Sequence, residues 1–207
     1  MNYFITAIHT DSGKTLVSAI VCELLHADYW KPIQAGYPTD SETIRRLVSN
    51  SDTVIHPEAF KLSTPASPHA AAKVENLEIR ATQLAIPYTD GRDLVVEGAG
   101  GCLVPLNDNE FVIDIASMLN CHVILVSNNY LGSINHTLLT FSELRHRKLP
   151  VAGIIFNGPA NRETENIILH HTQLPCLLRI APEKEISNET VKHNARKLNE
   201  GWGQRIK

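Results

Sequence analysis

The 207-residue sequence has few cysteines and no long apolar run, and each of these absences excludes a class of protein. Its four cysteines, Cys22, Cys102, Cys121 and Cys176, include no C-x-x-C pair. This usage is typical of buried thiols in a reducing cytosol rather than of a disulfide framework or a zinc site. No segment reaches the roughly 18 apolar residues of a membrane span, and the start, MNYFITAIHT, lacks the basic region of a signal peptide.

Basic residues are not in excess either, since the formal net charge is −3. No global positive field therefore attracts nucleic acid. The ten histidines form no H-E-x-x-H motif, so we expect no zinc site. A hydrophobic fraction of 43% and a charged fraction of 20% are ordinary for a globular chain. We expect one domain spanning residues 1–207, located in the cytoplasm, that binds neither nucleic acid nor membrane.

Short apolar runs alternate with helical patterns along the chain, which predicts βαβ units and a mostly parallel sheet flanked by helices. A polar segment after about residue 187 has no clear assignment, and 61–69, with two prolines, is expected to be a loop. Strands are predicted at Phe4–Ile8, Tyr29–Ile33, Leu94–Val96, Val123–Val126, Val151–Phe156 and Cys176–Ile180. Helices are predicted at Ser41–Ser49, Val112–Leu119, Ser133–Arg147 and Glu163–Thr172, with another after the first strand.

The segment HTDSGKT follows the first strand and resembles the end of a phosphate-binding loop. In the strict motif, G-x-x-x-x-G-K-[ST], a glycine would stand where this chain has Ile8. A glycine before a helix start allows close approach of phosphate, Lys14 can reach the outer phosphates, and Thr15 can bind Mg²⁺. The alternative is a solvent-facing lysine in a Gly-Lys-Thr that arose by chance.

Four further polar or glycine-rich segments follow predicted strands, namely KPIQAG, EGAGG, SNNYLGSINH and NGP. Ligands of parallel sheets bind at this edge, so Lys31, Asp40 and Glu97 are candidates for a nucleotide–metal site. Each also has a simpler explanation: a solvated lysine, a helix N-cap and an incidental acid in a glycine turn. The helix start at residues 132–136 can bind a carboxylate through its free N–H groups, and the alternative there is simple capping by Ser133. Asn157 can pair with the edge of a base, but it can equally be a turn residue.

Taken together and in this order, the segments resemble the dethiobiotin synthetase family. The combination of V-E-G-A-G-G with L-G-S-I-N-H is quite specific, whereas G-K-T alone is not. The resemblance extends from residue 6 to about residue 182. Its motifs are T-D-S-G-K-T (10–15), K-P-I-Q-A-G (31–36), T-D (39–40), S-P-H (67–69), V-E-G-A-G-G (96–101), L-G-S-I-N-H (131–136) and F-N (156–157).

The resemblance implies a P-loop NTPase fold with about seven strands and a homodimer. It also implies a cyclo-ligase that uses ATP and Mg²⁺ to carboxylate 7,8-diaminopelargonic acid and close a ureido ring, giving dethiobiotin for biotin synthesis. The steps would pass through a carbamate and a carbamic-phosphoric anhydride.

It also implies roles for individual residues. The catalytic residues would be Thr10, Lys14 and Lys31. The residues that bind Mg²⁺ would be Thr15, Asp40 and Glu97. The nucleotide is bound by Asp11, Ser12, Gly13, Lys14, Thr15, Leu16, Asp40, Glu97, Gly98, Ala99, Gly100, Asn157, Gly158, Pro182 and Glu183. The substrate is bound by Lys31, Ala35, Gly132, Ser133, Ile134 and Asn135, the last four across the dimer interface.

The chain departs from the family pattern at four positions. The family's loop is one residue longer than the strict motif, and its first glycine is Ala7 in this sequence. Asp11 stands where glutamate is usual. Ala35 replaces a substrate-contacting serine or threonine, which removes a hydrogen bond worth about 0.5–1.5 kcal/mol. Arg179 replaces a glycine near the expected base-binding wall.

Two other functions are compatible with the same motifs. One is a nucleotide switch like the partitioning ATPases, which usually carry an additional lysine early in the loop. His9 and Thr10 hold the corresponding positions here, and the N-K-x-D tetrad of GTP switches does not occur. The other is an inactive relative, against which the presence of all the expected lysines and acids argues.

Overall fold

The computed structural model describes residues 1–205, and its centre is a seven-stranded sheet with strand order β4-β2-β6-β1-β7-β8-β9. All neighbouring strands of this sheet are parallel, as predicted from their apolar runs. The strands are β1 (Asn2–Ala7), β2 (Asp28–Trp30), β3 (Ile33–Ala35), β4 (Ile55–His56), β5 (Phe60–Leu62), β6 (Leu94–Glu97), β7 (His122–Ser127), β8 (Val151–Asn157) and β9 (Cys176–Ile180).

Within residues 1–205, seven helices flank the sheet, and a hydrophobic core lies on each of its faces. The predicted α/β fold is therefore confirmed; residues 206 and 207 of the predicted 1–207 domain lie outside the described residues. The helices are α1 (Lys14–Leu25), α2 (Asp40–Leu47), α3 (Pro68–Val74), α4 (Val112–Met118), α5 (Ser133–His146), α6 (Arg162–Thr172) and α7 (Asn188–Arg205), with a 3-10 turn at Ala81–Gln83.

The predicted strand Tyr29–Ile33 is wrong as a single element. Pro32 has no N–H to donate and interrupts the pairing, so β2 ends at Trp30. The chain resumes at Ile33 as β3, which pairs with β5 in a separate two-stranded sheet. The predicted loop 61–69 is shorter than expected, because its start belongs to β5 and Pro68 begins α3.

The unassigned C-terminal segment forms the long helix α7. Val191, Ala195 and Leu198 lie on one face of this helix and are buried in the core cluster that includes α1. The Trp202 ring lies 5.4 Å from that of Tyr3. Three apolar positions in a highly polar segment are a weak sequence signal, so this helix depends on tertiary packing.

Across residues 1–205, none of the helices combines the length and the apolar character that crossing a bilayer would require.

Candidate active site

The phosphate loop connects β1 to α1 and ends at Gly13, which has φ +94° and precedes the first turn of α1. A side chain at Gly13 would be strained at this φ, and its Cβ would lie 2.2 Å from Asn157 Nδ2. Ala7 lies in β1 and is not among the residues with positive φ. The backbone at Ala7 therefore does not require the glycine of the family pattern.

Lys14 is buried at the start of α1 and folds back over the phosphate loop. Its Nζ donates to the carbonyl oxygens of Thr10 at 2.9 Å and His9 at 3.4 Å. Burial lowers the pKa of Lys14 from 10.5 to about 8, and the attraction of Glu97 offsets only part of this effect. A phosphate oxygen bound beside the ammonium group would therefore supply a negative charge and favour its charged form.

Thr15, Asp40 and Glu97 bring three oxygen ligands together from three elements. The Thr15 hydroxyl lies 3.1 Å from Asp40 Oδ1 and 2.9 Å from Glu97 Oε1. Glu97 ends β6 and is buried, with 1% of its surface exposed. Hydroxyl and carboxylate oxygens are the ligands that Mg²⁺ prefers, so this donor set fits that ion. No group of three His, Cys, Asp or Glu side chains suited to a metal occurs in the described part of the chain.

The Lys31 ammonium group lies between the two acids, immediately after β2. It forms ion pairs with Asp40 Oδ2 and with Glu97 Oε1, the latter at 3.1 Å, and it donates to the Gly98 carbonyl at 3.3 Å. Burial alone would lower the pKa of Lys31, but the charges of Glu97 and Asp40 outweigh burial and hold it above the ordinary lysine value. Lys31 is therefore a buried cation rather than a solvated surface lysine.

Asp40 is the first residue of α2, and its cap is Thr39, so the capping explanation for Asp40 is wrong. Thr39 Oγ1 accepts from the Glu42 N–H, and the Thr39 N–H donates to Glu42 Oε2. The Asp40 N–H donates to Gln34 Oε1 at 3.1 Å. With the cap supplied by its neighbour, the Asp40 carboxylate is available to the site.

A cleft of about 430 Å³ adjoins this cluster. Thr10 and Lys31 line one part of the cleft, and Ile33 and Val104 contribute apolar surface. A cation beside apolar walls suits a ligand with a polar reacting end and an aliphatic chain. Of the other predicted residues, Ala35, Ala99 and Gly100 also line it, with Gln34 and 65–68 completing the wall.

Three predicted nucleotide-loop residues have contrasting environments. The Asp11 side chain is exposed, and its N–H donates to His9 Nδ1 at 3.1 Å. Ser12 is buried and donates to Asn128 Oδ1 at 3.0 Å, a contact that the motif analysis missed. Leu16 is buried in the core below the loop, so only its backbone can take part in binding.

The predicted carboxylate-binding residues Gly132, Ser133, Ile134 and Asn135 start α5 and do not line the 430 Å³ cleft. Gly132 is the N-cap, with φ +108°, so Ser133 does not cap the helix. Ser133 Oγ is buried, and within residues 1–205 it has no hydrogen-bond partner. Leu131 beside it is fully exposed. The start of α5 is therefore not part of the cleft wall, although the ring of Tyr130, just before it, lies 5.3 Å from that of His9 in the phosphate loop.

The residues predicted near the base lie after β8 and β9. Asn157 Nδ2 donates to the Ser12 carbonyl at 2.9 Å, and the Gly158 N–H donates to the Ile180 carbonyl at 2.9 Å. Pro182 and Glu183 are exposed and lie between β9 and α7. Arg179 Nε pairs with Glu165 Oε2 at 2.5 Å, which holds this side chain on α6.

Tyr29 was missed entirely, because a tyrosine in an apolar strand is typical of a core residue. Its hydroxyl donates to Glu97 Oε2 at 2.9 Å. No local pattern could have indicated this contact, since 68 positions separate the two residues.

A family profile described as an AAA domain matches residues 1–190. The ATP-dependent dethiobiotin synthetase BioD of Cytophaga hutchinsonii is 56% identical over 201 residues, which cover 97% of this chain and 98% of the relative. The protein of the same name from Christiangramia forsetii is 47% identical over 199 residues, 95% of each chain.

Solved structures resemble this chain in fold alone. A putative plasmid partition protein of Borrelia burgdorferi bound to AMPPNP has a TM-score of 0.60 at 14% identity, over 99% of this chain and 98% of that one. The septum site-determining protein MinD of Pyrococcus horikoshii, complexed with Mg-ADP, has a TM-score of 0.54 at 16% identity, over 100% of this chain and 93% of that one.

Proposed function

Because this chain belongs to the ATP-dependent dethiobiotin synthetase family, we propose that it converts 7,8-diaminopelargonic acid, CO₂ and ATP to dethiobiotin. The observation that carries this proposal is the convergence of Lys14, Thr15, Lys31, Asp40 and Glu97 beside the 430 Å³ cleft. We propose that residues 1–207 act as one domain.

The phosphates of ATP are bound at the loop formed by residues 10–16. Backbone N–H groups at the start of α1 point toward the bound anion, and the helix dipole favours its negative charge. The Lys14 ammonium group exchanges its carbonyl contacts for phosphate oxygens. Thr15, Asp40 and Glu97 are the residues that would hold Mg²⁺, which when bound offsets the charge of the phosphates.

The reaction then proceeds in three steps. An amine nitrogen of the substrate bonds to the carbon of CO₂ and releases a proton, giving a carbamate. A carbamate oxygen bonds to the γ-phosphorus as the bond to ADP breaks, giving a mixed anhydride. The second amine attacks the carbamate carbon and loses a proton, the bond to phosphate breaks so that phosphate leaves, and the ureido ring closes.

The protein's part in these steps is positioning and charge. Two anions, the carbamate and the γ-phosphate, must approach each other, and cations on both sides reduce their repulsion. Lys14 faces the phosphate loop and Lys31 lines the cleft, so the two lysines flank the path of phosphoryl transfer. Thr10 lines the same cleft and contacts the reacting carbamate.

We also propose a homodimer in which Gly132, Ser133, Ile134 and Asn135 bind the substrate carboxylate for the partner's site. The proposal is supported by the absence of these four residues from the lining of the cleft, and by the Ser133 hydroxyl, which has no hydrogen-bond partner within residues 1–205. Leu131, Ile134 and Leu139 expose apolar surface around it.

Asn157 and Gly158 are proposed to contact the base, with Pro182 and Glu183 beside it. The bond of Asn157 to the Ser12 carbonyl supports this assignment, because it places the amide group directly over the phosphate loop. A cytoplasmic location is proposed from the cysteine usage.

A direct assay tests the reaction. Purified protein with Mg²⁺, ATP, bicarbonate and the diamine should release phosphate and form dethiobiotin in equal amounts. Mass spectrometry measures the dethiobiotin. The control omits the diamine. Phosphate release that does not depend on the diamine would instead favour a nucleotide switch, and no release or nucleotide binding at all would favour an inactive relative.

A genetic test is independent of purification. This chain should restore growth without biotin to a strain that lacks dethiobiotin synthetase.

A further inference from the structure

Tyr29 is a fully buried tyrosine that belongs to none of the motifs. It lies in β2, and its hydroxyl donates to Glu97 Oε2 at 2.9 Å. A buried tyrosine hydroxyl normally needs a polar partner, and here that partner is an acid of the proposed metal site.

The two oxygens of Glu97 have different partners. Oε1 accepts from Thr15 at 2.9 Å and from Lys31 at 3.1 Å, whereas Oε2 accepts from Tyr29. The carboxylate is thereby held with one oxygen toward the site and the other toward the core. Without the tyrosine hydroxyl, the contacts on Oε1 would not by themselves fix the rotation of the carboxylate plane.

The strands that carry the pair are rigidly joined. β2 and β6 are parallel neighbours, with Tyr29 opposite Val95. Because side chains alternate along a strand, Val95 and Glu97 project from the same face of β6. The tyrosine hydroxyl therefore approaches Glu97 from an adjacent, hydrogen-bonded strand.

We propose that Tyr29 is a positioning residue that orients Glu97 and so strengthens binding of the divalent cation. This inference rests on the proposed function, since it concerns the same site. A purely structural role is the competing explanation: the hydroxyl would then satisfy a buried acid and affect stability without affecting the metal.

The test compares Tyr29→Phe with the unaltered protein by calorimetric titration of a non-hydrolysable ATP analogue at increasing Mg²⁺. The Mg²⁺ concentration for half-maximal nucleotide binding should rise by about tenfold, as is typical for loss of a group that orients a metal ligand. Nucleotide affinity without metal should stay within about twofold of the unaltered protein, and Mn²⁺ electron paramagnetic resonance should show the same weakening.

Tyr3→Phe is the matched control, because Tyr3 is also a buried tyrosine in the same core cluster. A second comparison places Tyr29→Phe in a Glu97→Gln background. If Tyr29 acts through Glu97, the added substitution should then shift the Mg²⁺ requirement by less than about twofold.

An unchanged Mg²⁺ requirement in Tyr29→Phe, or an equal shift in Tyr3→Phe, would overturn the role of Tyr29. Should Tyr29→Phe not fold, the role is judged with 4-aminophenylalanine at position 29, which keeps a donor at the para position of the ring; restored folding without a restored Mg²⁺ requirement would overturn it. Nucleotide binding by the unaltered protein that shows no dependence on Mg²⁺ would overturn the proposed metal site itself.

Discussion

The Thr15 hydroxyl donates to Glu97 Oε1 across 2.9 Å, although 82 positions separate the two residues in the chain. Thr15 is the second residue of α1, the helix after β1, and Glu97 ends β6, which pairs directly with β1. The parallel pairing therefore brings the two metal-ligand candidates to the same sheet edge.

Lys31→Ala should keep nucleotide binding within about threefold but lower turnover by about 10²–10³-fold, as for loss of a charge that stabilises a transition state. The alanine also leaves two acids without their buried cation, so a lower melting temperature is expected. Dethiobiotin formation and nucleotide titration measure the two effects separately. Lys73→Ala, at an exposed lysine of α3, is the control. Unchanged turnover in Lys31→Ala would refute its catalytic role.

Nucleotide binding should weaken above pH 8 because of Lys14. Its pKa is about 8 in the folded protein without nucleotide, against an ordinary 10.5, and a bound phosphate favours the charged form. Binding should therefore take up a proton between these two values, and affinity should fall by up to about tenfold per pH unit there. Calorimetry at pH 9 in two buffers of different ionisation enthalpy detects the proton. Equal heats in both buffers would contradict the assignment.

The same group affects folding in the same pH window. Between pH 8 and 10.5 the unfolded chain holds the Lys14 proton more tightly than the folded protein does. The contribution of Lys14 to the free energy of unfolding therefore rises with pH across this window and is constant below it.

Gly13→Ala should abolish tight nucleotide binding while leaving the fold intact. The φ of +94° strains any side chain by about 1–2 kcal/mol, and the new Cβ would lie 2.2 Å from Asn157 Nδ2. Gly91→Ala is the matched control, since its φ is also positive, at +80°, but nothing lies within 4 Å of the new atom. Both variants should melt earlier, but only Gly13→Ala should lose binding in a nucleotide titration. If Gly13→Ala and Gly91→Ala bound nucleotide with equal affinity, the contact between the new Cβ and Asn157 would be unimportant for binding and the prediction would be contradicted.

Leu131→Asp should convert the proposed dimer to a monomer and raise the KM for the diamine by more than about tenfold. A buried charge at a subunit contact disfavours association, and the carboxylate site would then be lost. Light scattering measures the mass, and nucleotide affinity should remain within about twofold. Ile86→Asp, an exposed apolar residue elsewhere, is the control. A monomeric unaltered protein with full activity would refute the shared site.

Much of the site could be predicted because local sequence carries its parts. An apolar strand followed by T-D-S-G-K-T places Gly13 and Lys14 at a helix start wherever the remaining chain lies. Glu97 and Lys31 likewise follow apolar runs, and parallel strands bring such positions to one edge. These features depend on neighbours within a few residues, so they can be predicted from the sequence alone.

The remaining features depend on partners far along the chain. The N-cap alternative for Asp40 could not be excluded from the sequence, because spacing alone does not choose between adjacent candidates; in the structure Thr39 and Glu42 form the capping box. Helix α7 was missed because its few apolar residues gain stability only against α1.

By itself, the sequence determined the parallel α/β sheet and the edge at which the polar segments gather. Both depend on local patterns: the alternation of apolar runs with helical periodicity, and the glycine-rich or polar segments that follow the strands. Only the tertiary structure decided that the Lys31 ammonium lies between Asp40 and Glu97, and that Tyr29 holds the far oxygen of Glu97. Those contacts follow from the strand order β2-β6-β1, which is set by the free energy of packing the whole chain.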